Sequence, residues 1–159
     1  MKYYIYSVGK IREEFYLQGI KEYLKRLNAY ISIELIDGLG EKISPTANNK
    51  EIEKAINKEG LKILKNISPS DLVILLDVEG KKLDSPSFAD MLANYNLSGS
   101  KRVIFIIGSS HGVSLEVKNR ADQIISFSPL TFPHQMAVLI LAEQIYRGFK
   151  ILKNEPYHK

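Results

Sequence analysis

The chain has 159 residues, 45% of them hydrophobic and 25% charged, a net charge of +4 and no cysteine. Such a length suits one domain of the usual roughly 100 to 200 residues, and the hydrophobic share excludes a disordered chain. Without cysteine there are no disulfides, thiolate zinc sites, iron–sulfur clusters or cysteine nucleophiles, and the longest apolar run, Met136 to Ala142, is far short of the ~20 residues that cross a bilayer.

Lys2 to Val8 predicts a strand, and charge returns at Lys10 and Arg12 before any apolar leader develops, which fits a cytoplasmic protein. Ile11, Phe15, Ile20, Tyr23, Leu24 and Leu27 recur near helical spacing, and Ile31 to Ile36 alternates as a second strand, completing a βαβ unit. After a polar loop holding Pro45, residues 49–66 predict an amphipathic helix with Ile52, Ala55, Ile56, Ile63 and Leu64 toward a sheet, slightly weakened by Gly60. Leu72 to Leu76 and Val103 to Ile107 are short apolar runs of the kind buried on both faces of a parallel sheet. Ser87 to Leu97 predicts a helix between them, Asp122 to Phe127 a further strand, and residues 133–153 a final helix. The class is α/β, a mostly parallel sheet flanked by helices, in a single domain over residues 1–159.

The final helix opens on Thr131-Phe132-Pro133, which offers a capping hydroxyl and a proline for the first turn. Met136 to Ala142 is then apolar all round, so this helix is covered on every side. Either it is sunk in its own monomer or a second subunit covers it; a homodimer is the preferred reading.

Residues 1–80 carry twelve Lys/Arg against twelve Asp/Glu, and residues 81–159 carry ten against six, so the basic excess lies in the second half. Arg147, Lys150, Lys153 and Lys159 face only Glu155 near the end. Such a field attracts a polyanion such as nucleic acid, although basic residues in a last helical turn also complement the macrodipole.

Ligands of open parallel sheets bind beyond the carboxyl ends of the strands. Three loops qualify: Asp77-Val78-Glu79-Gly80-Lys81-Lys82, Gly108-Ser109-Ser110-His111-Gly112, and residues 126–134, read as SFSPLTFPH. None matches the dinucleotide or Walker A pattern, so a cofactor without a pyrophosphate fits better. His111, His134 and His158 lack metal-ligand spacing, and no metal is expected. Ser109 and Ser110 do not form a nucleophile elbow and read as turn residues, while Asp77 and Glu79 beside Lys81 and Lys82 read as a solvated turn.

Five segments in order resemble one family over the whole chain: YSVGKIREEF with Glu22-Tyr23 and Lys25-Arg26-Leu27, then FIIGSSHG, SFSPLTFPHQM, AEQIYRGFKI and the closing PYHK. They are similar to the SPOUT-class 23S rRNA pseudouridine N3-methyltransferases. The resemblance implies a SPOUT-type fold with a C-terminal deep trefoil knot, which periodicity could not suggest. It implies S-adenosylmethionine as cofactor, held by Leu76, Gly108, Phe127, Ser128, Pro129, Leu130, Thr131 and Phe132. It implies a homodimer acting on 23S rRNA, within the large subunit or the assembled ribosome, without metal or membrane. Tyr157 and His158, which would read as a frayed end on their own, become catalytic candidates with His134, in a tail able to reach the cofactor of the other subunit. Arg147, Lys150, Lys153 and Lys159 become the RNA-binding candidates. The chain departs from the family at Ser109 and His111, at Val138 in place of an arginine, and at Gly148 in place of an alanine. The competing functions are a related SPOUT methyltransferase acting on tRNA or another rRNA site, and a non-catalytic RNA-binding or ribosome assembly factor.

Overall fold

Alternation along the strands sorts the core into two halves. The structure, a computed structural model, describes all residues from 1 to 159. Its strands are β1 (Lys2–Ser7), β2 (Ser32–Ile36), β3 (Leu72–Lys82), β4 (Arg102–Ile107) and β5 (Gln123–Ser126), and its helices α1 (Glu14–Leu27), α2 (Asn49–Leu64), α3 (Ser85–Leu97), α4 (Leu115–Arg120) and α5 (His134–Leu152). The strands form one sheet in the order β2-β1-β4-β3-β5, with every pairing parallel. Tyr3, Ile5, Ile74, Val103 and Phe105 turn to the face covered by α1, α3 and α5. Tyr6, Val73, Leu75, Ile104 and Ile106 turn to the face that carries Ile63 of α2 and Val117 of α4. The apolar runs at 72–76 and 103–107 are thus buried on both sides, as the sequence predicts.

Local signals start the helices. Asn48 Oδ1 accepts from the Glu51 amide at 3.0 Å, and Glu51 Oε2 accepts from the Asn48 amide at 2.8 Å, a reciprocal capping box for α2. Asp84 accepts from the Ser87 amide at 2.8 Å to open α3. The sequence reading lacks α4, because six residues are too few to show a helical period.

Two expectations need correction, on Thr131 and on the segment after Leu76, and Gly60 gains a role the sequence reading did not give it. Thr131 is exposed and α5 starts after Pro133 with no side-chain cap. Capping runs the other way: Gln135 Oε1, in the first turn of α5, accepts from the Arg12 and Glu13 amides at 2.7 and 2.9 Å and so satisfies the entry to α1. Gly60 is a packing residue, since a Cβ there would lie 2.2 Å from Ser114 Oγ, and its absence lets α2 and α4 approach. The segment after Leu76 is a continuation of β3 to Lys82. It pairs with Ile125 at Leu76 and again at Lys81, with an irregularity between. Gly80 permits this, because a Cβ there would lie 2.5 Å from the Ile125 carbonyl carbon. Asp77 pairs with Lys118 of α4 at 3.2 Å rather than with Lys81 or Lys82, while its Oδ1 accepts from the Glu79 amide at 3.0 Å.

The amino ends of the central strands are tied by charge. Asp71, 4% exposed, accepts from Arg102 Nε at 2.8 Å and from the Ser68 amide at 2.6 Å. Hydrogen bonding by Arg102, helped by the Ser68 amide, holds its carboxyl below the usual carboxylate range despite burial.

Val138, Leu141, Ala142, Ile145 and Phe149 of α5 are buried in the larger core cluster. Leu139 packs on α1, where a Cβ on Gly19 would lie 3.0 Å from Leu139 Cδ1. Met136 and Ile140 are half-buried and belong to neither cluster. The apolar girth of α5 is therefore only partly covered by its own chain. No helix is long and apolar enough to cross a membrane.

Candidate active site

A cavity of about 900 Å³ opens at the carboxyl ends of β1, β3, β4 and β5. Leu76, Gly108, Phe127, Ser128, Thr131, Phe132 and His134 line it, so the structure brings most of the candidate cofactor residues and one catalytic candidate to a single place. Pro129 and Leu130 stand outside its wall and are exposed, Leu130 at 71%. The Ser128 hydroxyl accepts from the Leu130 amide at 3.0 Å, a local turn that throws Leu130 outward.

The glycine loop after β4 is folded on itself. Ser109 Oγ donates to the Gly112 carbonyl at 3.2 Å and the Gly112 amide donates to the Ser109 carbonyl at 3.0 Å, which agrees with the turn reading of the serines. A Cβ on Gly108 would lie 2.7 Å from Val113 Cγ1 and 3.1 Å from the Gly112 carbonyl oxygen. Its bare backbone is thus required by its own loop.

His134 is anchored. Its ring lies over Gly9, where a Cβ would come within 2.3 Å of Nε2, and Nε2 donates to the Lys10 carbonyl at 3.1 Å. Because a carbonyl only accepts, Nε2 carries the proton and Nδ1 is the nitrogen left for other chemistry.

Tyr157 and His158 lie apart from the cavity, and no residue from 143 to 159 lines it. Asn154 adopts a left-handed backbone at φ 52 just beyond α5, and the Glu155 amide donates to the Lys150 carbonyl at 2.9 Å, which turns the tail back along the helix. Tyr157 then meets Tyr146 edge to face with ring centres 5.0 Å apart, and its hydroxyl donates to Glu143 Oε1 at 3.1 Å. The Arg147 guanidinium lies 4.8 Å from the centre of the Tyr157 ring and 3.4 Å from His158 Nδ1, which accepts from it. Burial, with Tyr23 and Glu143 adding to it, pushes the Tyr157 hydroxyl well above its ordinary pKa.

The basic candidates divide. Arg147 pairs with Glu143 at 2.5 Å and Lys150 with Glu155 at 2.5 Å, whereas Lys153 and Lys159 are exposed. Val138, the position where the family resemblance calls for arginine, is fully buried in the core, so here it serves packing.

Sequence reasoning missed several parts of the cavity wall: Val8 and Gly9 after β1, Gly40, Glu41 and Ile43 after β2, and Glu59 of α2. The first five follow strand ends, the same signal that exposed the other loops. Glu59 sits in helical step with Ile52, Ile56 and Ile63, so a carboxylate on the buried stripe was its signal. No three His, Cys, Asp or Glu side chains are grouped to hold a metal ion.

A family model described as Predicted SPOUT methyltransferase matches residues 1–158. Among curated proteins, the chain is 57% identical over 159 residues to the ribosomal RNA large subunit methyltransferase H of Syntrophomonas wolfei, with all of both chains covered. Proteins of the same name from Halothermothrix orenii and Enterococcus faecalis are 48% and 44% identical, again over all of both chains. A parallel sheet with its cavity at the strand ends, and a match along nearly the whole sequence, make this chain a member of the SPOUT methyltransferase family.

Proposed function

We propose that this protein, as a homodimer of single-domain chains, transfers a methyl group from S-adenosylmethionine to N3 of a pseudouridine in a 23S rRNA hairpin loop of the large ribosomal subunit. The observation that carries the reading is the character of the cavity. Leu76, Ile107 and Phe127 offer an apolar slot, the loops at 108–112 and 126–132 offer main-chain groups, and no Lys or Arg lines it. An adenosine bearing a cationic sulfonium fits such a wall, whereas a pyrophosphate would find no counter-charge. The names of the relatives support ribosomal RNA of the large subunit as substrate. The family supports a C-terminal trefoil knot around the cofactor, and the substrate supports a cytoplasmic location.

The donor supplies the reactive carbon. The chain's own residues position the base and remove the N3 proton, which is alignment plus modest acid–base work. Since Tyr157 and His158 lie outside the cavity of their own chain, they reach a cofactor held by the partner subunit. Tyr157, kept protonated, donates its hydrogen bond to the base once Glu143 releases it; the N3 proton goes to His134 Nδ1, which carries none, or to His158 Nδ1 once Arg147 releases it. Lys153 and Lys159 hold phosphates, joined by Arg147 and Lys150 when their carboxylate partners release them. Incubation of the protein and labelled S-adenosylmethionine with ribosomes, free rRNA and tRNA, followed by mapping of the methylated nucleotide, tests this. Label on a large-subunit pseudouridine is expected; label on tRNA alone, or none, overturns it.

A further inference from the structure

Three carboxylates line the cavity, and two of them are already neutralised. Asp77 pairs with Lys118 at 3.2 Å, and Glu41 holds Lys58 at 3.1 Å together with Lys62. The third, Glu59, is 3% exposed and has no cationic partner. Its Oε1 accepts from the Glu41 amide at 2.9 Å, while Oε2 has no hydrogen-bond partner in the chain. The amide bond and the loop at Gly40, where a Cβ would lie 3.3 Å from Oε1, fix the side chain in place. A buried carboxylate oxygen left unmade costs about 1 to 3 kcal/mol, so its retention in a cavity wall points to a donor that arrives with the ligand.

We propose that Glu59 is the counter-charge for the α-ammonium group of the methyl donor, accepting a hydrogen bond from it at Oε2. The inference rests on the S-adenosylmethionine reading above. Leu76, Ile107 and Phe127 of the lining are apolar and suit the adenine, which leaves the amino-acid end of the ligand for the polar groups that α2 and the β2–α2 loop supply. Ser126, Ser128 and Thr131 offer neutral groups, but only Glu59 offers an uncompensated negative charge there.

Calorimetric titration of the wild-type dimer and Glu59→Gln with three ligands tests it. S-adenosylmethionine and S-adenosylhomocysteine both carry the ammonium, whereas 5′-methylthioadenosine keeps the adenosine and thioether without it. Glu59→Gln should weaken the first two by about tenfold or more and leave the third unchanged. Equal loss for all three would make Glu59 a structural residue, loss confined to S-adenosylmethionine would place it against the sulfonium, and unchanged affinity would mean that water satisfies Oε2; each overturns the proposal. If the wild type bound 5′-methylthioadenosine but neither of the others, the ammonium site would fall with the cofactor reading. Burial pushes the Glu59 carboxyl above its ordinary range, opposed by the Glu41 amide and His111. A raised carboxyl gives stability below its unfolded value and loses it as pH rises, so the ligand-free Gln variant should melt at or above the wild-type temperature at pH 8. That melting point separates lost affinity from lost folding.

Discussion

The Tyr157 hydroxyl donates to Glu143 Oε1 across 3.1 Å, on the same carboxylate that pairs with Arg147. One carboxylate of α5 thus sets both a ring in the tail and a guanidinium one helical turn away. Tyr157→Phe removes this bond but keeps the edge-to-face contact with Tyr146. Single-turnover methyl transfer should fall by roughly ten- to a hundredfold, the worth of a hydrogen bond to a charged group, with donor affinity unchanged. A wild-type rate would leave Tyr157 as packing alone.

Removal of residues 156–159 takes away Tyr157, His158 and Lys159 while leaving the cavity wall complete. Calorimetry should show wild-type donor binding and sedimentation a wild-type mass, with no transfer to ribosomes. Transfer at the normal rate would show the tail to be dispensable.

Ile140 and Leu139 are neighbours on α5 with different duties. Leu139 packs against α1 within its own chain, so a charge there damages the monomer. Ile140 belongs to neither core cluster, and Ile140→Glu should give folded monomers in sedimentation, because a buried unpaired charge opposes association. A dimer of unchanged affinity would place the interface elsewhere.

Asp71 sets an acid limit. Its carboxyl is depressed chiefly by Arg102, so its contribution is full above the unfolded value of about 3.9 and is lost as pH falls through the lower folded value. Asp71→Asn should cost roughly 2 kcal/mol at pH 7, between the exposed and buried limits for an ion pair, and the gap to wild type should close toward pH 2 in urea titrations. A constant gap would assign the loss to packing.

Much of the fold was legible because its signals are local. The apolar runs at 72–76 and 103–107 required burial on both faces, whereas the unbroken apolar Tyr3-Tyr4-Ile5-Tyr6 of β1 did not show which of its side chains meets which face. The extension of β3 to Lys82 was hidden, since Gly80 reads as a turn and its true constraint is the Ile125 backbone on another strand. The same holds at the site. Gly108, Phe127 and Thr131 follow strands and could be found by position, whereas the ties of His134 to Lys10 and of Tyr157 to Glu143 join residues far apart in sequence. Glu59 was written in the helical period, but an apolar stripe drew attention past the one carboxylate within it.

A cavity wall without Lys or Arg also dictates how a nucleotide can arrive. A phosphodiester brought to this wall would meet no counter-charge and the unpaired Glu59 carboxylate, so a strand presented to it keeps its backbone outside and offers an extruded base, edge first. Orientation of such a target is thereby set before any contact to the base is made, by the absence of positive charge in the wall itself.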